Sequence, residues 1–457
     1  MLDKKSAAAL IEKVTAMTKN YAQARVISTQ AGSTRFAKSE ISQNVSVTDT
    51  TLTLTVYNGK KEATASTNVL TDAGLAQLAA DADALLAHVP EGEYEAFPYP
   101  QACGNAPTGE DSQSVATCDQ LKNSQPPNDL RQKFSTAERA ALLKAGVAQA
   151  ESGYSASGAL VLNEQAVALG DNRGAFNYAA YNDVAFNTVV TSDCGADGAA
   201  EACSYTAAPD IVALFARAQQ TAKAARNPVE AELGAHTVVL SPVAFGDLMY
   251  FLSMTLNAKA IDDGYSFAAG KLGQRVFGAN LTVHDDATHP DLRPLPFDFE
   301  GNPRRPLTLI ENGVIRNVLY DNRRAQKHGV TPTGHAAPGF GGMMGAFAAN
   351  LIVDAGSQSL AEIIASTPRG IYINEFHYTN FVNPRKLQIT GLTRNGAFRI
   401  QDGKLGAPIS TVRFTESLLD AFNNITAISS DHEKVSGMGV TLMPGVRIEG
   451  FHFTSKA

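Results

Sequence analysis

The sequence predicts an α+β protein of two domains. The first is a mixed α/β N-terminal domain over residues 1–227, and the second a predominantly antiparallel β C-terminal domain over residues 228–457. Three observations predict it. Helical spacing of apolar residues and alternating β-branched runs are interleaved up to about residue 226. From Gly370 onward the chain reads mostly as strands, with a tight-turn pair at Asp402-Gly403. Asn227-Pro228 lies between the last long helical pattern of the first half and the first strand of the second. A chain of 457 residues suits two to three domains.

The elements follow in order. Residues 3–20 place Ala7, Leu10, Ile11, Val14 and Met17 on one helical face. A strand is expected around Arg25–Thr29 and a second extended segment over Arg35–Ile41. Thr51–Tyr57 alternates, and Asn58-Gly59 turns it into Lys61–Ser66. Asp72–His88 is helical, with Leu75, Leu78, Ala82, Leu85 and Leu86 facing inward. Residues 90–133 are rich in Pro, Gly, Asn, Ser and Gln and read as a long loop-rich insertion. Ser135 and Glu138 form a capping box that opens a helix to about Ala150. Gly153–Leu169 and Ala175–Thr191 are strands; Cys194 and Cys203 flank a small polar loop; Asp210–Arg226 is a helix.

In the second half, His236–Leu240 is a strand. Ser241 and Pro242 then start a helix as N-cap and first helical residue, with Leu248, Leu252 and Leu256 inward. Leu307–Ile310 and Val314–Tyr320 form a hairpin around Asn312-Gly313, because both turn positions need φ > 0. Asn322–His328 is a short helix ended by Gly329. A glycine- and methionine-rich loop covers residues 338–345, and Asn350–Asp354 is a strand. Ser359 and Glu362 cap a short helix to Ser366, Glu416–Ile425 is a helix, and Arg447–Phe453 closes the chain as a strand.

Composition excludes some functions. The net charge of −7 argues against general nucleic-acid binding, which needs clustered Lys and Arg. No apolar run approaches the length of a membrane span. The amphipathic N-terminus does not read as a signal peptide, so the expected compartment is the cytoplasm.

Residues 299–334 carry an ordered set of motifs. Phe299, Glu300, Gly301, Pro303 and Arg305 precede a strand; Ile310, Glu311, Asn312 and Gly313 turn it; Tyr320 and Asp321 follow; Gly329, Thr331, Pro332, Thr333 and Gly334 end it. This order resembles the TldD/PmbA (TldD/TldE) family. The resemblance continues through Gly370–Ile373 and the hairpin between Arg394 and Pro408, and is looser before residue 230. In the TldD branch, the helix after the first strand of the second domain carries H-E-x-x-x-H, two imidazoles for zinc and a carboxylate to activate water. Here those positions fall near Tyr250, Phe251 and Thr255. The stretch Val243–Asn257 holds no His and no Glu, and its one carboxylate is Asp247. TldD-type members also use a late cysteine, whereas the last cysteine here is Cys203. The departure matches the PmbA/TldE branch.

Other ligand sets are weaker. His284, Asp285, Asp286 and His289 could hold a metal but read more simply as a solvated acidic turn. His432-Glu433 lacks the second histidine of a zincin helix. Cys103/Cys118 and Cys194/Cys203 lack C-x-x-C spacing and read as free thiols, with a disulfide between Cys194 and Cys203 as the alternative. There is no nucleophile elbow, P-loop or dinucleotide fingerprint.

The resemblance implies a subunit with no catalytic or metal residues of its own. Zinc is expected only in a TldD-like partner, with which this chain would enclose a chamber for unfolded peptides. Candidate peptide contacts are His335, Phe340, Gly341, Gly342, Tyr372 and His377, near an exposed sheet edge expected at residues 338–345 and 372–381, although His335 reads more simply as a satisfied loop histidine. A homodimer with a divergent active site and a non-enzymatic peptide-binding scaffold are the alternatives.

Overall fold

The structure is a computed structural model and describes residues 1–92, 130, 133–337, 345–437 and 439–456. The expected loop at 90–133 falls almost wholly outside these residues, as do Cys103, Cys118, Phe340, Gly341 and Gly342.

The first half builds a six-stranded antiparallel sheet in the order β3-β2-β1-β4-β5-β6. The strands are β1 (Tyr21–Ala37), β2 (Glu40–Asn58), β3 (Lys61–Thr67), β4 (Tyr154–Asp171), β5 (Phe176–Ser192) and β6 (Asp197–Ser204). Among the described residues four helices accompany them: α1 (Lys4–Thr15), α2 (Asp72–His88), α3 (Thr136–Val147) and α4 (Ile211–Ala224). The period of two along a strand sorts the residues by face. Even-numbered positions such as Ala24, Leu54, Leu160, Phe186 and Ala200 pack under the helices. Odd-numbered Val167, Leu169, Tyr181 and Cys203 pack instead on Leu292, Leu295, Phe297 and Leu442 of the second half. The sheet is therefore the middle layer between helices and the second half.

The second half is an eleven-stranded sheet with two parallel pairings. Its strands begin with β7 (Gly234–Leu240), β8 (Val283–Asp285), β9 (Leu307–Glu311), β10 (Val314–Ile315) and β11 (Leu351–Val353). They continue with β12 (Arg369–Asn383), β13 (Gln388–Gln401), β14 (Lys404–Pro408), β15 (Val412–Ser417), β16 (Ile425–Ser436) and β17 (Val440–Lys456). Helices α5 (Pro242–Thr255), α6 (Ala258–Asp262), α7 (Asn322–His328), α8 (Leu360–Ala365) and α9 (Leu418–Asn423) fill the connections. The order β17-β15-β13-β12-β7 closes on itself, because β7 also pairs with β17, Val446 opposite Leu240 and Phe453 opposite Gly234. Closure removes sheet edges. Phe376, Phe414 and Phe451 stack inside, with Phe376 and Phe414 centroids 4.6 Å apart.

Several expectations change. The segments Arg25–Thr29 and Arg35–Ile41 are parts of one long hairpin, turned at Lys38-Ser39 with φ of 50° and 64°. Tertiary pairing of β1 along β4 holds a turn that its residue types do not favour. Replacing Lys38 by Asn, with Ser39 kept because its Oγ accepts from Ala156 N–H at 3.0 Å, is expected to stabilise the protein by about 0.5 kcal/mol in urea unfolding. The loop between Cys194 and Cys203 is largely strand β6. Its small residues suggested a loop, yet a Cβ on Gly198 would meet the Ala218 carbonyl oxygen at 2.1 Å, so smallness there admits α4. Cys194 and Cys203 are both free. Leu85 and Met17, expected inside, are 47% and 38% exposed at the rim of their helices. The strand expected over Val314–Tyr320 ends at Ile315, after which Arg316 and Asn317 both donate to the Leu309 carbonyl.

Candidate functional site

Helix α5 organises the site. Ser241 caps it, its Oγ accepting from Ala244 N–H at 3.1 Å and donating to the Asn374 carbonyl at 2.6 Å. Pro242 supplies the first helical residue, and Leu248, Leu252 and Leu256 are fully buried. The opposite face meets open space. Gly246, Asp247, Tyr250 and Ser253 line a cavity of about 290 Å³ with Phe347 and the turn between β16 and β17.

The three residues near which the resemblance leads one to expect H-E-x-x-x-H carry no imidazole and no carboxylate. The Tyr250 ring packs on Phe347 and Phe251, and Phe251 meets Phe381 edge-on at 4.9 Å. Thr255 is 1% exposed and donates its hydroxyl to the Leu252 carbonyl at 3.0 Å. A phenyl has no lone pair to donate, and this hydroxyl is spent on the helix; the donor set does not fit tetrahedral zinc. Among the described residues no three His, Cys, Asp or Glu side chains group as a metal site.

Asp247 takes a different role. It accepts a hydrogen bond from the Phe376 backbone N–H, at the side of β12 facing away from β13. Burial pushes its carboxyl up to about 8, reinforced by Glu375 and Glu201. β7 pairs with β12 at Ile371, Tyr372 and Ile373, and Ser241 N–H extends that contact by donating to the Ile373 carbonyl. Beyond Phe376, no described strand covers this side of β12, and Tyr378 and Val382 there are 72% and 52% exposed. A bulge between His377 and Asn380, with Tyr378 at φ 50°, bends this stretch.

Next to α5 lies a cleft of about 770 Å³ between the two halves. β5, β6 and α4 supply Thr188, Glu201 and Arg217; β12 and β16 supply Tyr372, Glu375 and Glu433. Arg217 pairs with Glu433 at 3.2 Å, and Ser436 N–H donates to Glu201 at 3.2 Å, so both contacts tie the halves together. Burial pushes the Glu201 carboxyl up to about 7, against the pull of the Ser436 N–H. Asn395 donates to Glu375 at 2.6 Å.

The predicted site residues scatter. Tyr372 is paired on both sides, opposite Phe398 and Val239, so it is not an edge residue; its side chain lines the cleft, where burial pushes its hydroxyl up to about 12. His377 stands on the uncovered stretch and borders a separate cavity of about 310 Å³; burial and Arg394 lower its pKa. His335 offers a peptide nothing, since its side chain is fully buried, with Nδ1 2.8 Å from the Thr333 carbonyl and Nε2 3.0 Å from Asp285. Asp285 also accepts from Arg304 at 2.6 Å and from Asn350 N–H at 2.7 Å. His284 pairs with Asp354, His289 accepts from Asp291 N–H, Asp286 accepts from Thr288, and His432 lies 2.7 Å from the Val353 carbonyl. These four groups do not converge. Sequence reasoning missed Glu201, Arg217, Glu375 and Thr188, which lie on separate elements and carry no local motif.

A closed β ring joined to a helix-backed six-stranded sheet is a fold shared with solved structures. The TldE structure from Thermococcus kodakarensis superposes with a TM-score of 0.82 over 98% of this chain and 99% of that one, at 19% identity. Residues 233–455 match the PmbA/TldA metallopeptidase C-terminal domain, and residues 22–86 match its domain 1. The chain belongs to the PmbA/TldD metallopeptidase family. An uncharacterized protein of Methanocaldococcus jannaschii is 29% identical over 218 residues, 47% of this chain and 49% of its own length. A protein of Methanothermobacter thermautotrophicus called metalloprotease is 27% identical over 199 residues, 43% of each chain. The matched stretches span about half the length of these relatives or less.

Proposed function

We propose that this chain is the zinc-free, TldE-like subunit of a two-subunit peptidase that processes unfolded peptides, with zinc and the water-activating carboxylate supplied by a TldD-like partner. One observation carries the reading: helix α5 holds no His and no Glu, and Tyr250, Phe251 and Thr255 stand near the positions where the resemblance leads one to expect H-E-x-x-x-H. The uncovered stretch of β12 beside α5 supports a role in holding peptide, since main-chain pairing on such an edge tolerates many sequences. The bulge there limits that pairing to a few residues.

The test is zinc content and casein hydrolysis, for this chain alone and mixed with a TldD-like protein from the same source. The chain alone is expected to hold far less than stoichiometric zinc and to leave casein intact, and the mixture to cleave it. Stoichiometric zinc with cleavage by the isolated chain would overturn the reading and favour a homodimeric enzyme with a divergent site.

A further inference from the structure

We propose that the small cavity beside Phe347, where the second half meets the six-stranded sheet, is a binding site for a monocarboxylate group. Its volume is about 170 Å³. Among the described residues four ionisable side chains line it, and three of them are already answered within the fold. Arg304 donates to Asn350 at 3.0 Å and to Asp285 at 2.6 Å. His335 meets the Thr333 carbonyl and Asp285. Asp298 accepts from the backbone N–H groups of Glu300, Asn302 and Ala336 at 2.8–3.0 Å. Arg293 is the fourth. Among the described residues no carboxylate forms an ion pair with it; its polar neighbour is the neutral hydroxyl of Tyr181, which itself donates to Gln165. Asp183 and Asp285 pull on it only from farther off. Its Nε is closed off and unpaired, so the donors that a ligand can reach are the two terminal amino groups. A guanidinium taken partly out of water normally meets a carboxylate. One left without, on the wall of a preformed cavity, marks the place of an anion that the chain does not itself supply.

Shape and charge select the anion. The two terminal amino groups of one guanidinium match the two oxygens of a carboxylate. The space left holds only a short tail, and Leu295, Phe297 and Phe347 give that tail an apolar wall. Asp285, ionised beside Arg304, disfavours the second charge of a phosphate dianion. Phe347 also walls the cavity under α5, so the two spaces share that ring. The biological source that follows is the free C-terminus of a peptide held beside α5; for that source alone the inference rests on the peptide reading above.

The experiment has two arms, both on the full chain. In the first, butyrate, its neutral isostere butyramide and inorganic phosphate are each titrated by calorimetry at pH 7. Saturable butyrate binding is expected, with butyramide and phosphate about tenfold weaker. Arg293→Met is expected to lose butyrate binding without a fall in Tm, because the guanidinium has no ion pair to lose. Arg293→Lys, which keeps the charge but not the planar fork, is expected to bind severalfold more weakly than wild type. Ala337→Leu, which fills the cavity and leaves Arg293 in place, is expected to exclude butyrate and serves should Arg293→Met fail to fold. In the second arm, unstructured fluorescent peptides with a free or an amidated C-terminus are compared by anisotropy. The free acid is expected to bind about tenfold tighter, a margin lost in Arg293→Met and weakened by salt. Butyrate binding with equal affinity for the two peptides would support the carboxylate site and defeat its peptide source. No saturable butyrate binding, butyramide or phosphate binding as tightly as butyrate, or butyrate binding unchanged in Arg293→Met and Ala337→Leu would overturn the inference.

Discussion

Asp285→Ala is expected to destabilise the protein by about 3–5 kcal/mol, the cost of leaving a buried partner charge uncompensated. Asp285 is fully buried and meets the Arg304 guanidinium at 2.6 Å, His335 Nε2 at 3.0 Å and the Asn350 N–H at 2.7 Å. Burial alone would raise its carboxyl, but Arg304 and His335 outweigh that and hold it well below the usual carboxylate range. Alanine removes the acceptor for all three donors and leaves the 3%-exposed Arg304 without a counter-ion. Asp285→Asn keeps an acceptor and loses the charge, so it should fall between wild type and alanine. Urea unfolding at pH 7 reads both. A loss under about 1 kcal/mol for alanine would mean that the charge is compensated by other means.

Asp247→Asn is expected to do the opposite, stabilising the protein increasingly as pH rises from 4 to 8. The Asp247 carboxyl is raised to about 8 in the folded protein, so the folded state keeps its proton where the unfolded chain, near 4, has lost it. Its contribution is complete below about pH 4 and is withdrawn as pH climbs from 4 to 8. Glu201, raised to about 7, acts with the same sign over a narrower window. The full shift is discounted because Asp247 lines a cavity open to solvent, leaving about 2–3 kcal/mol. The amide that replaces the carboxyl would keep an acceptor for Phe376 N–H without the ionisation. The variant should match wild type at pH 4 and exceed it at pH 8 to 9, flattening the decline of Tm between pH 4 and 8. Asp285 governs the other limb: its lowered pKa gives stability that is present above about pH 4 and lost on acidification. Parallel wild-type and Asp247→Asn profiles would show that the group ionises freely in the folded protein.

What could be read from the sequence was local. Ser241-Pro242, Asn312-Gly313, Gly329 and the Ser359/Glu362 box each satisfy their own backbone within a few residues, and each is found where it was placed. The antiparallel character of the second half was legible from the same alternation. Lys38-Ser39 was not, because the turn is imposed by two long strands rather than by its own residues. β6 was not, because Gly198 answers to a helix packed above it. That His335 is a satisfied histidine was the simpler reading, but its partner was not legible: only the fold brings Asp285, fifty residues earlier, against it. The cleft had no linear trace: Thr188, Glu201, Arg217, Glu375 and Glu433 meet only when the two halves dock. That Val243–Asn257 carries no His and no Glu was legible, since it asks only which residues stand on one helix.

The ring closed by β17 also sets a schedule for the newborn chain. The six-stranded sheet has all its strands once Ser204 has left the ribosome. The ring must wait, because β7 and its partner β17 are separated by the stretch from Leu240 to Val440. At cellular rates of about 5–20 residues per second, those 200 residues take about 10–40 s to make. During that interval Val238, Val239, Leu240 and the apolar side of α5, all destined for full burial, have no finished wall to lean on. A chain stopped short of Val440 would therefore carry every strand of the first sheet followed by an apolar stretch that has no closed ring to enter.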